Sequence, residues 1–365
     1  MKKMTSPPIV SSMLGLSIAT ILAVMIGSCS KKDIQPTESP IEVSANKPPP
    51  PPPTPANPAI IFNADTTFTY RGQQHGVQAI FVMDADGSHR KMIHHDFVTS
   101  GNSWSLGNVT NPKWSGNGQQ ACFAGRVFMS SGPPIRPLSS FSSIFTMNVS
   151  LINGVPTASN VTKILDGEVN STSYVYPAWS PTANEIVMKA GQSGLPDRLQ
   201  IIPATGGTAV TIYTSPSVDL FIHSPCFSPD GSKIAFHLRN GSVEKSIQVI
   251  DRFTGSVLNS VTLDPAYGWS ELDWSRTEGS STLCFRKTIP NTGAQGFLCT
   301  LNFNISSTPT ELTPNAAYPT WSPNDSQIAY SESTNLQGII KVFTLSTNTN
   351  TTISTVGGYS LNWKR

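Results

Sequence analysis

Short apolar runs alternate with polar turns along most of the chain, and one such unit is repeated. In one clear copy an extended segment ends at Trp321, a Ser-Pro-Asn-Asp turn follows, and a second apolar run begins at Ile328. Proline sets the backbone for the first central position of a tight turn, and Asn and Asp favour the positions beside it. The unit therefore predicts strand, turn and strand.

An aromatic residue ends the first strand in each copy of the unit. Five of the seven tryptophans hold this position and a phenylalanine takes it once. In chain order these motif aromatics are Trp114, Trp179, Phe227, Trp274, Trp321 and Trp363. Successive members are 65, 48, 47, 47 and 42 residues apart. A period of about 40–50 residues built from short strands is typical of a β-propeller blade.

The two ends of the repeated region complement each other. The region begins at Ala59–Phe62, which corresponds to a second strand, and ends with Tyr359–Trp363, a first strand with no strand after it. A closed ring protects the inner edge of its first blade and leaves only short outer edges. We therefore predict an all-β, six-bladed propeller of four-stranded antiparallel blades over residues 59–365, in which the C-terminal strand completes the N-terminal blade. Its third strands are predicted at Ile80–Met83, Ile144–Met147, Leu199–Ile202, Ile247–Ile250, Phe297–Thr300 and Ile340–Phe343.

The first 58 residues follow a different pattern. Two lysines precede an apolar stretch, and Ile26-Gly27-Ser28-Cys29 places two small residues before a cysteine, which is similar to a bacterial lipobox. We expect residues 1–28 to be a lipoprotein signal peptide and Cys29 to carry the lipid; an uncleaved transmembrane helix is the alternative. Residues 29–58 contain six consecutive prolines and are expected to form an unfolded, extended tether.

The charge of the chain and its lack of catalytic motifs limit the classes of function that are possible. The chain has 24 Lys and Arg against 22 Asp and Glu, and only 13% of its residues are charged. Because residues 1–28 include two lysines and no acid, the remaining chain is neutral, which argues against a nucleic-acid partner. The sequence contains neither a Gly-x-Ser-x-Gly nor a His-Glu-x-x-His motif. We accordingly predict no catalytic residue, no metal and no cofactor.

The best copy of the repeat runs from Pro225 to Phe236, with Ser228-Pro229-Asp230-Gly231 as its turn. The repeats resemble those of the TolB family over residues 59–365. The resemblance implies a propeller of the bacterial envelope. TolB carries an α/β domain before its propeller, and the segment after Cys29 is too short for one. We therefore expect an anchored TolB-like lipoprotein of the outer membrane, on its periplasmic or its exposed side.

Candidate binding residues gather on one face of the predicted ring. Loops between second and third strands and between blades emerge there, and loops on a rigid scaffold commonly carry function. Three candidates, Tyr176, Glu271 and Tyr318, lie three residues before a motif aromatic, at the mouth of the central channel, and Ser224 holds the same position. The others are Arg126, His223 and Trp269. Aromatic rings among a few polar groups suit a peptide or a sugar.

Two classes of function stay open at this point. The first is a non-catalytic binding or scaffold protein for an envelope protein or glycan. The alternative is a polysaccharide lyase or hydrolase on the same face, with Glu271 and Asp273 as a carboxylate pair. A metal held by His94 or His95 together with His223 is a further alternative.

Two cysteines are candidates for a disulfide. Cys284 and Cys299 fall on the second and third strands of one blade. If Lys287 pairs with Gly296 across the hairpin, the two cysteines are directly opposed and within disulfide range. The alternative is that both are buried thiols, because sister blades place small or branched apolar residues there.

Overall fold

The computed structural model describes residues 56–70, 72–95, 98–100, 103–130, 136–137, 141–169, 171–240, 243–289, 296–332 and 338–365. The predicted signal peptide, Cys29 and the run of six prolines lie outside the described residues. All regular structure in this part of the chain is β-strand. No helix within it is long and apolar enough to cross a membrane.

The described residues contain 26 strands in six sheets, which are numbered as blades 1–6 in chain order. Blade 1 consists of β1 (Ile60–Tyr70), β2 (Gln73–Met83), β3 (Lys91–His95) and β26 (Tyr359–Trp363). Blade 2 consists of β4 (Val98–Ser100), β5 (Ser103–Trp114), β6 (Gln120–Ser130), β7 (Arg136–Pro137), β8 (Ser143–Ile152) and β9 (Val155–Leu165). Blade 3 consists of β10 (Ser173–Trp179), β11 (Glu185–Gly191), β12 (Arg198–Pro203) and β13 (Val210–Thr214).

The remaining blades have four strands each. Blade 4 consists of β14 (Leu220–Phe227), β15 (Lys233–Asn240), β16 (Val243–Asp251) and β17 (Val257–Thr262). Blade 5 consists of β18 (Gly268–Trp274), β19 (Thr282–Thr288), β20 (Gly296–Asn302) and β21 (Thr310–Pro314). Blade 6 consists of β22 (Ala316–Trp321), β23 (Gln327–Glu332), β24 (Ile339–Thr344) and β25 (Thr349–Ser354).

The ring closes as the sequence predicts. β26 pairs antiparallel with β1, with Ile60 opposite Trp363, so the end of the chain supplies the innermost strand of blade 1. The innermost strands β26, β5, β10, β14, β18 and β22 contact one another in that order around the axis, and β22 contacts β26. Each ends at its motif aromatic. The predicted six-bladed propeller is therefore confirmed.

The core is divided among the junctions between blades. Buried apolar residues form six clusters in the described part of the chain, and each cluster joins two neighbouring blades. At the closing junction, Leu361 and Trp363 of β26 pack with Ala329 and Val342 of blade 6. Since burial of apolar surface is the main stabilising term, the blades are stabilised chiefly by their neighbours.

Side chains next to three motif aromatics tie neighbouring blades together. The innermost strands have backbone N–H groups on the axial side that need partners. Asp273 accepts from the Trp321 N–H at 3.0 Å. Thr320 accepts from the Trp363 N–H at 3.0 Å. Asn362 accepts from the Trp114 N–H at 2.8 Å, so the tie continues across the closure.

The first hairpins of two blades are unusually long, and one of these blades has extra strands. In blade 1, β1 and β2 pair continuously from Ile60↔Met83 to Tyr70↔Gln73, so most of the segment 63–78 is strand. In blade 2 the hairpin of β5 and β6 is similarly extended, and the short strands β4 and β7 pair with its outer part. These hairpins lengthen the face predicted to carry the site.

The predicted pairing of Cys284 with Cys299 is wrong. The observed register places Cys284 opposite Thr300 and Phe285 opposite Cys299, one residue away from the predicted register. Because neighbouring residues of a strand point to opposite faces, Cys284 packs between blades 5 and 6, whereas Cys299 packs between blades 4 and 5. Both are free, buried cysteines.

We expect mass spectrometry of the denatured, non-reduced protein to find alkylatable thiols at Cys122, Cys226, Cys284 and Cys299. Burial raises the pKa of Cys122 and of Cys299 to about 12, so these thiols also resist oxidation in the folded protein. Reductant should leave the melting temperature unchanged. A peptide pair joined through Cys284 and Cys299 would contradict the observed register.

Candidate functional site

Six residues with a left-handed backbone surround the axis. Each lies three residues before a motif aromatic, at a point where the pairing of the innermost strand shifts register. Positive φ is uncommon for residues other than glycine, and is least expected for a bulky one. The six, here called the axial ring, are Asn111 (φ 53°), Tyr176 (54°), Ser224 (49°), Glu271 (64°), Tyr318 (53°) and Ser360 (52°).

The register shift explains where the ring side chains are. A β-bulge leaves one residue unpaired, bends the strand and redirects a side chain. Proline follows the ring residue in four of the six strands, at Pro112, Pro177, Pro225 and Pro319. Proline lacks the N–H that a regular ladder needs and is found in sheets at edges and bulges. Local sequence thus specifies the bulge, and the bulge brings all six ring residues to one cavity.

The axial ring lines a cavity of about 590 Å³ at one end of the channel. This volume lies within the range of small-ligand sites, roughly 300–1,000 Å³. Further charged and polar side chains complete its wall: Asn63, Asp65 and Gln78 in blade 1, Lys113 in blade 2, and Arg239 in blade 4. The cavity therefore offers both signs of charge together with aromatic rings.

Contacts between blades hold several ring residues in place. The Tyr318 backbone N–H donates to the Glu271 carboxylate, which also lies 3.7 Å from the Arg286 guanidinium. Asn111 Nδ2 of blade 2 donates to Ser360 Oγ of blade 1 at 3.0 Å. The Tyr318 ring meets the Tyr359 ring edge-on, with centroids 5.8 Å apart. The ring is consequently a connected structure, and its shape depends on closure of the propeller.

His223 lies next to the ring as a neutral imidazole. Its Nδ1 is 3.1 Å from the Tyr176 hydroxyl, and the two ring centroids are 5.1 Å apart. Burial, together with the positive charges of Arg239 and Lys189, lowers the pKa of His223 to about 3. Near pH 7 the group can therefore accept or donate a hydrogen bond without adding charge to the cavity.

Beyond the cavity a cluster of buried charges closes the channel. Lys113 lines both the cavity and a second space of about 30 Å³, which Asp273 and Arg276 also line. Asp273 forms two hydrogen bonds with the Arg276 guanidinium, at 2.8 and 3.1 Å. Burial alone would raise the pKa of Asp273, but the charges of Arg276 and Lys113 outweigh it and the pKa is lowered. These groups form a polar floor with room for little more than a water molecule.

The fold has relatives among solved structures. TolB from Acinetobacter baumannii superposes with a TM-score of 0.57 at 15% identity, over 84% of this chain and 66% of that chain. The chain shares the propeller fold of this TolB structure. Two other solved structures match: puromycin hydrolase (TM-score 0.51, 15% identity, 84% of this chain and 48% of that one) and a chain of a nidogen/laminin complex (0.52, 13%, 83% and 97%).

These similarities establish the fold alone, because the three reported identities are only 13–15%. No protein-family model matches the sequence, and a comparison with curated proteins found no match. This chain spans just under two thirds of the A. baumannii TolB chain and about half of the puromycin hydrolase chain.

Four of the six predicted binding residues line the axial cavity: Tyr176, His223, Glu271 and Tyr318. Trp269 does not. It is 4% exposed, packs edge-on against Phe285 and donates its Nε1–H to the Asp264 carbonyl at 3.0 Å. β18 already begins at Gly268, so Trp269 is a strand residue of the core and not a loop residue.

The fold does not bring together several other residues that the sequence grouped into one site. Arg126 lies on β6 opposite Asn108 and is not among the cavity-lining residues that the structure describes. His94 lies on the outermost strand of blade 1 and His223 on the innermost strand of blade 4, so the two do not form a shared metal site. The bulge also separates Glu271, which lines the cavity, from Asp273, which belongs to the floor.

Sequence reasoning missed two members of the axial ring. Asn111 and Ser360 hold the same position before a motif aromatic as Tyr176 and Tyr318, but they are small and polar. Spacing, and not residue type, would have found them. Asn63, Asp65 and Gln78 carry no comparable signal, because β1 and β2 reach the cavity only through the fold of blade 1.

The neutral state of His223 should make stability depend on pH. The unfolded chain binds a proton at this residue below its ordinary pKa of about 6.5, whereas the folded protein does so only near pH 3. Stability is therefore lost as the pH falls from 6.5 toward 3. At pH 4.5 we expect the loss attributable to His223 to be about 1–2 kcal/mol, given about 1.4 kcal/mol per unit as the upper limit.

Urea unfolding at pH 7.5 and pH 4.5 measures this effect. His223→Gln keeps a hydrogen-bonding group beside Tyr176 but does not titrate, so it should lose less stability between the two pH values than the wild type. If both proteins lose the same stability between pH 7.5 and pH 4.5, folding does not lower the pKa of His223, and the folded protein carries a protonated His223 at pH 4.5.

Proposed function

We propose that this TolB-like propeller is a non-catalytic binding protein of the bacterial envelope, and that the axial cavity binds a protein or glycan partner. The axial ring is the observation that carries the proposal. Residues held in sparsely populated backbone regions cost on the order of 1–3 kcal/mol each and cluster at functional sites. Six such residues line one cavity. Packing alone does not call for Tyr and Glu at positions that glycine would occupy more cheaply.

The proposal includes attachment to the outer membrane through a lipid on Cys29. The lipobox-like segment Ile26–Cys29 and the proline-rich stretch after it support this part. Six prolines in polyproline II extend about 3.1 Å per residue, so the tether would hold the cavity away from the lipid surface. Several acyl chains on one residue would give stable anchoring, since a single chain is marginal.

Changing Cys29→Ala is expected to block lipid attachment and leave a precursor that is about 28 residues longer than the mature chain. Metabolic labelling with a radioactive fatty acid, followed by gel electrophoresis, measures both effects. Ser30→Ala is the matched control and should be labelled and processed normally. Equal labelling of Cys29→Ala and wild type would remove the anchor from the proposal.

A cavity-filling variant tests the binding function. Ser270 lines the cavity, and Ser270→Trp should fill part of it. Thr351→Trp adds the same side chain at an exposed site on β25, the outermost strand of blade 6. After crosslinking in intact cells, wild type and Thr351→Trp should capture the same envelope component, and Ser270→Trp should lose it. Circular dichroism would confirm that both variants are folded.

If Ser270→Trp still captures the envelope component, the binding surface lies elsewhere and the proposal is overturned.

A second candidate function, a polysaccharide lyase or hydrolase, is supported by one observation: the neutral imidazole of His223 beside the Tyr176 hydroxyl could accept a proton from a bound sugar. Turnover of acidic polysaccharides by the wild type, lost in His223→Gln, would favour the enzyme.

A further inference from the structure

One wall of the axial cavity consists of hydrogen-bond acceptors. We infer that this wall, formed by Asn63, Asp65 and Gln78 of blade 1, binds a protonated primary amine of the partner. The inference rests on the proposed function, because it assumes that the cavity is the binding site. It adds the chemistry by which one part of the partner is recognised.

The three residues share one face of blade 1. Asn63 and Asp65 are two positions apart on β1 and therefore point the same way. Gln78 of β2 is directly opposite Asp65, so its side chain is on that face as well. All three line the cavity.

Two of the three have a buried oxygen without a partner. Asn63 is 3% exposed, and its Oδ1 accepts no hydrogen bond from any described residue; the same holds for Gln78 Oε1. A buried acceptor without a donor costs the full desolvation penalty of the group. Such groups are rare in folded proteins, and each calls for an explanation. The terminal torsion of an Asn or Gln side chain has a broad, roughly two-fold preference. Either amide group can therefore rotate its oxygen toward a ligand, and that oxygen has no hydrogen bond to lose.

Asp65 adds a carboxylate at the more exposed end of the wall. Its Oδ2 accepts from the Tyr359 hydroxyl at 3.3 Å. Burial, together with the Asp65 charge, raises the pKa of Tyr359, so the phenol stays protonated and remains a donor. An ammonium group has three N–H donors and no acceptor. Two amide oxygens and one carboxylate match it in number and in charge.

The charge of the wall favours a monovalent cation over a metal ion. Calcium is held by six to eight oxygens, and its affinity rises with the number of carboxylates. This wall has one carboxylate, and Glu271, the other acid lining the cavity, lies beside Arg286. Lys113 and Arg239 of the other blades add positive charge. Among the described side chains of this wall, only the two amide nitrogens could donate a hydrogen bond to an anionic ligand.

The inference is tested by measuring the binding of small probe molecules with isothermal titration calorimetry and NMR. Three amines represent the possible sources: glucosamine for a glycan, N-acetyl-lysine amide for a side chain, and alanine amide for a chain terminus. Their partners without a cation are glucose, N-acetyl-Nε-acetyl-lysine amide and N-acetyl-alanine amide. We expect at least one amine to bind at least tenfold more tightly than its uncharged partner, and the strongest amine identifies the source.

Two variants locate the effect. Asp65→Asn and Asn63→Leu should each weaken the strongest amine at least tenfold, and Asn63→Leu should also raise the melting temperature, because it removes a buried acceptor without a partner. Asp86→Asn removes the same charge from an exposed turn and should bind as wild type. Equal binding of amines and uncharged partners, unchanged affinity in Asp65→Asn, or binding of calcium but no amine would each overturn the inference.

The two proposals fail in different ways. If Ser270→Trp loses the envelope partner but no amine binds, the cavity is the binding site and only the inference is wrong. If Ser270→Trp keeps the partner, the proposed function is wrong, whatever the amines do.

Discussion

Removal of residues 358–365 is expected to destroy cooperative unfolding of the ring and to cause aggregation. The deletion takes away β26 and with it Leu361 and Trp363, which are 1% and 4% exposed. Truncating buried Leu and Trp side chains costs about 2–5 and 3–5 kcal/mol respectively. Their joint loss is comparable with the whole stability of a typical domain, about 5–15 kcal/mol.

The deletion also exposes the edge of β1 and removes a contact to blade 2. β1 loses its partner strand, and the Trp114 N–H loses the Asn362 side chain that accepts from it. Exposed edges promote association between chains. Calorimetry and light scattering measure the two effects. A chain that ends at Trp363 keeps β26 and is the matched control; it should unfold cooperatively, a few degrees below wild type at most. A chain without residues 358–365 that melts like this control would disprove closure through β26.

Asp273→Ala is expected to lower stability by about 3–5 kcal/mol, because it leaves the Arg276 guanidinium buried without its counter-charge. The side chains of Asp273 and Arg276 are 7% and 4% exposed, so water cannot easily replace the lost partner. The substitution also removes the acceptor for the Trp321 N–H and for the Thr320 hydroxyl, at the junction of blades 5 and 6. Urea unfolding measures the loss.

Two further variants separate the possible causes. Asp219→Ala removes an exposed carboxylate and should change stability by no more than about 0.5 kcal/mol. The double variant Asp273→Leu with Arg276→Met replaces the pair by apolar side chains and should recover a large part of the loss, because the uncompensated charge is gone. If Asp273→Ala alone unfolds like wild type, the floor of the channel does not hold the two blades together.

The axial ring separates backbone geometry from side-chain chemistry. All six positions have nearly the same φ, yet they carry Asn, Tyr, Ser, Glu, Tyr and Ser. The repeated strand, bulge and motif aromatic supply the geometry in every blade. Under the proposed function, specificity would depend on which residue each blade places in the ring, and single substitutions there should alter binding more than they alter the fold.

Local and periodic features could be predicted from the sequence alone. The motif aromatics, the Ser-Pro turns and the third strands are specified by residues within a few positions of one another. Complementary ends then implied a closed ring of six blades, which the pairing of Ile60 with Trp363 confirms. The position of Tyr176, Glu271 and Tyr318 at the channel mouth followed from the same repeat. The signal peptide, the lipid on Cys29 and the tether remain predictions.

What depended on contacts between blades could not be predicted. A register change of one residue moved Cys284 and Cys299 to opposite faces, and nothing in the two strands themselves distinguishes the two registers. Burial of Trp269 depends on the facing surface of blade 4. The acceptor wall of Asn63, Asp65 and Gln78 joins the axial ring only when residues about 300 positions apart in the chain, such as Asp65 and Tyr359, meet at the closure. Periodic sequence determines each blade, whereas the side chains that share the cavity are set by the packing of six blades around one axis.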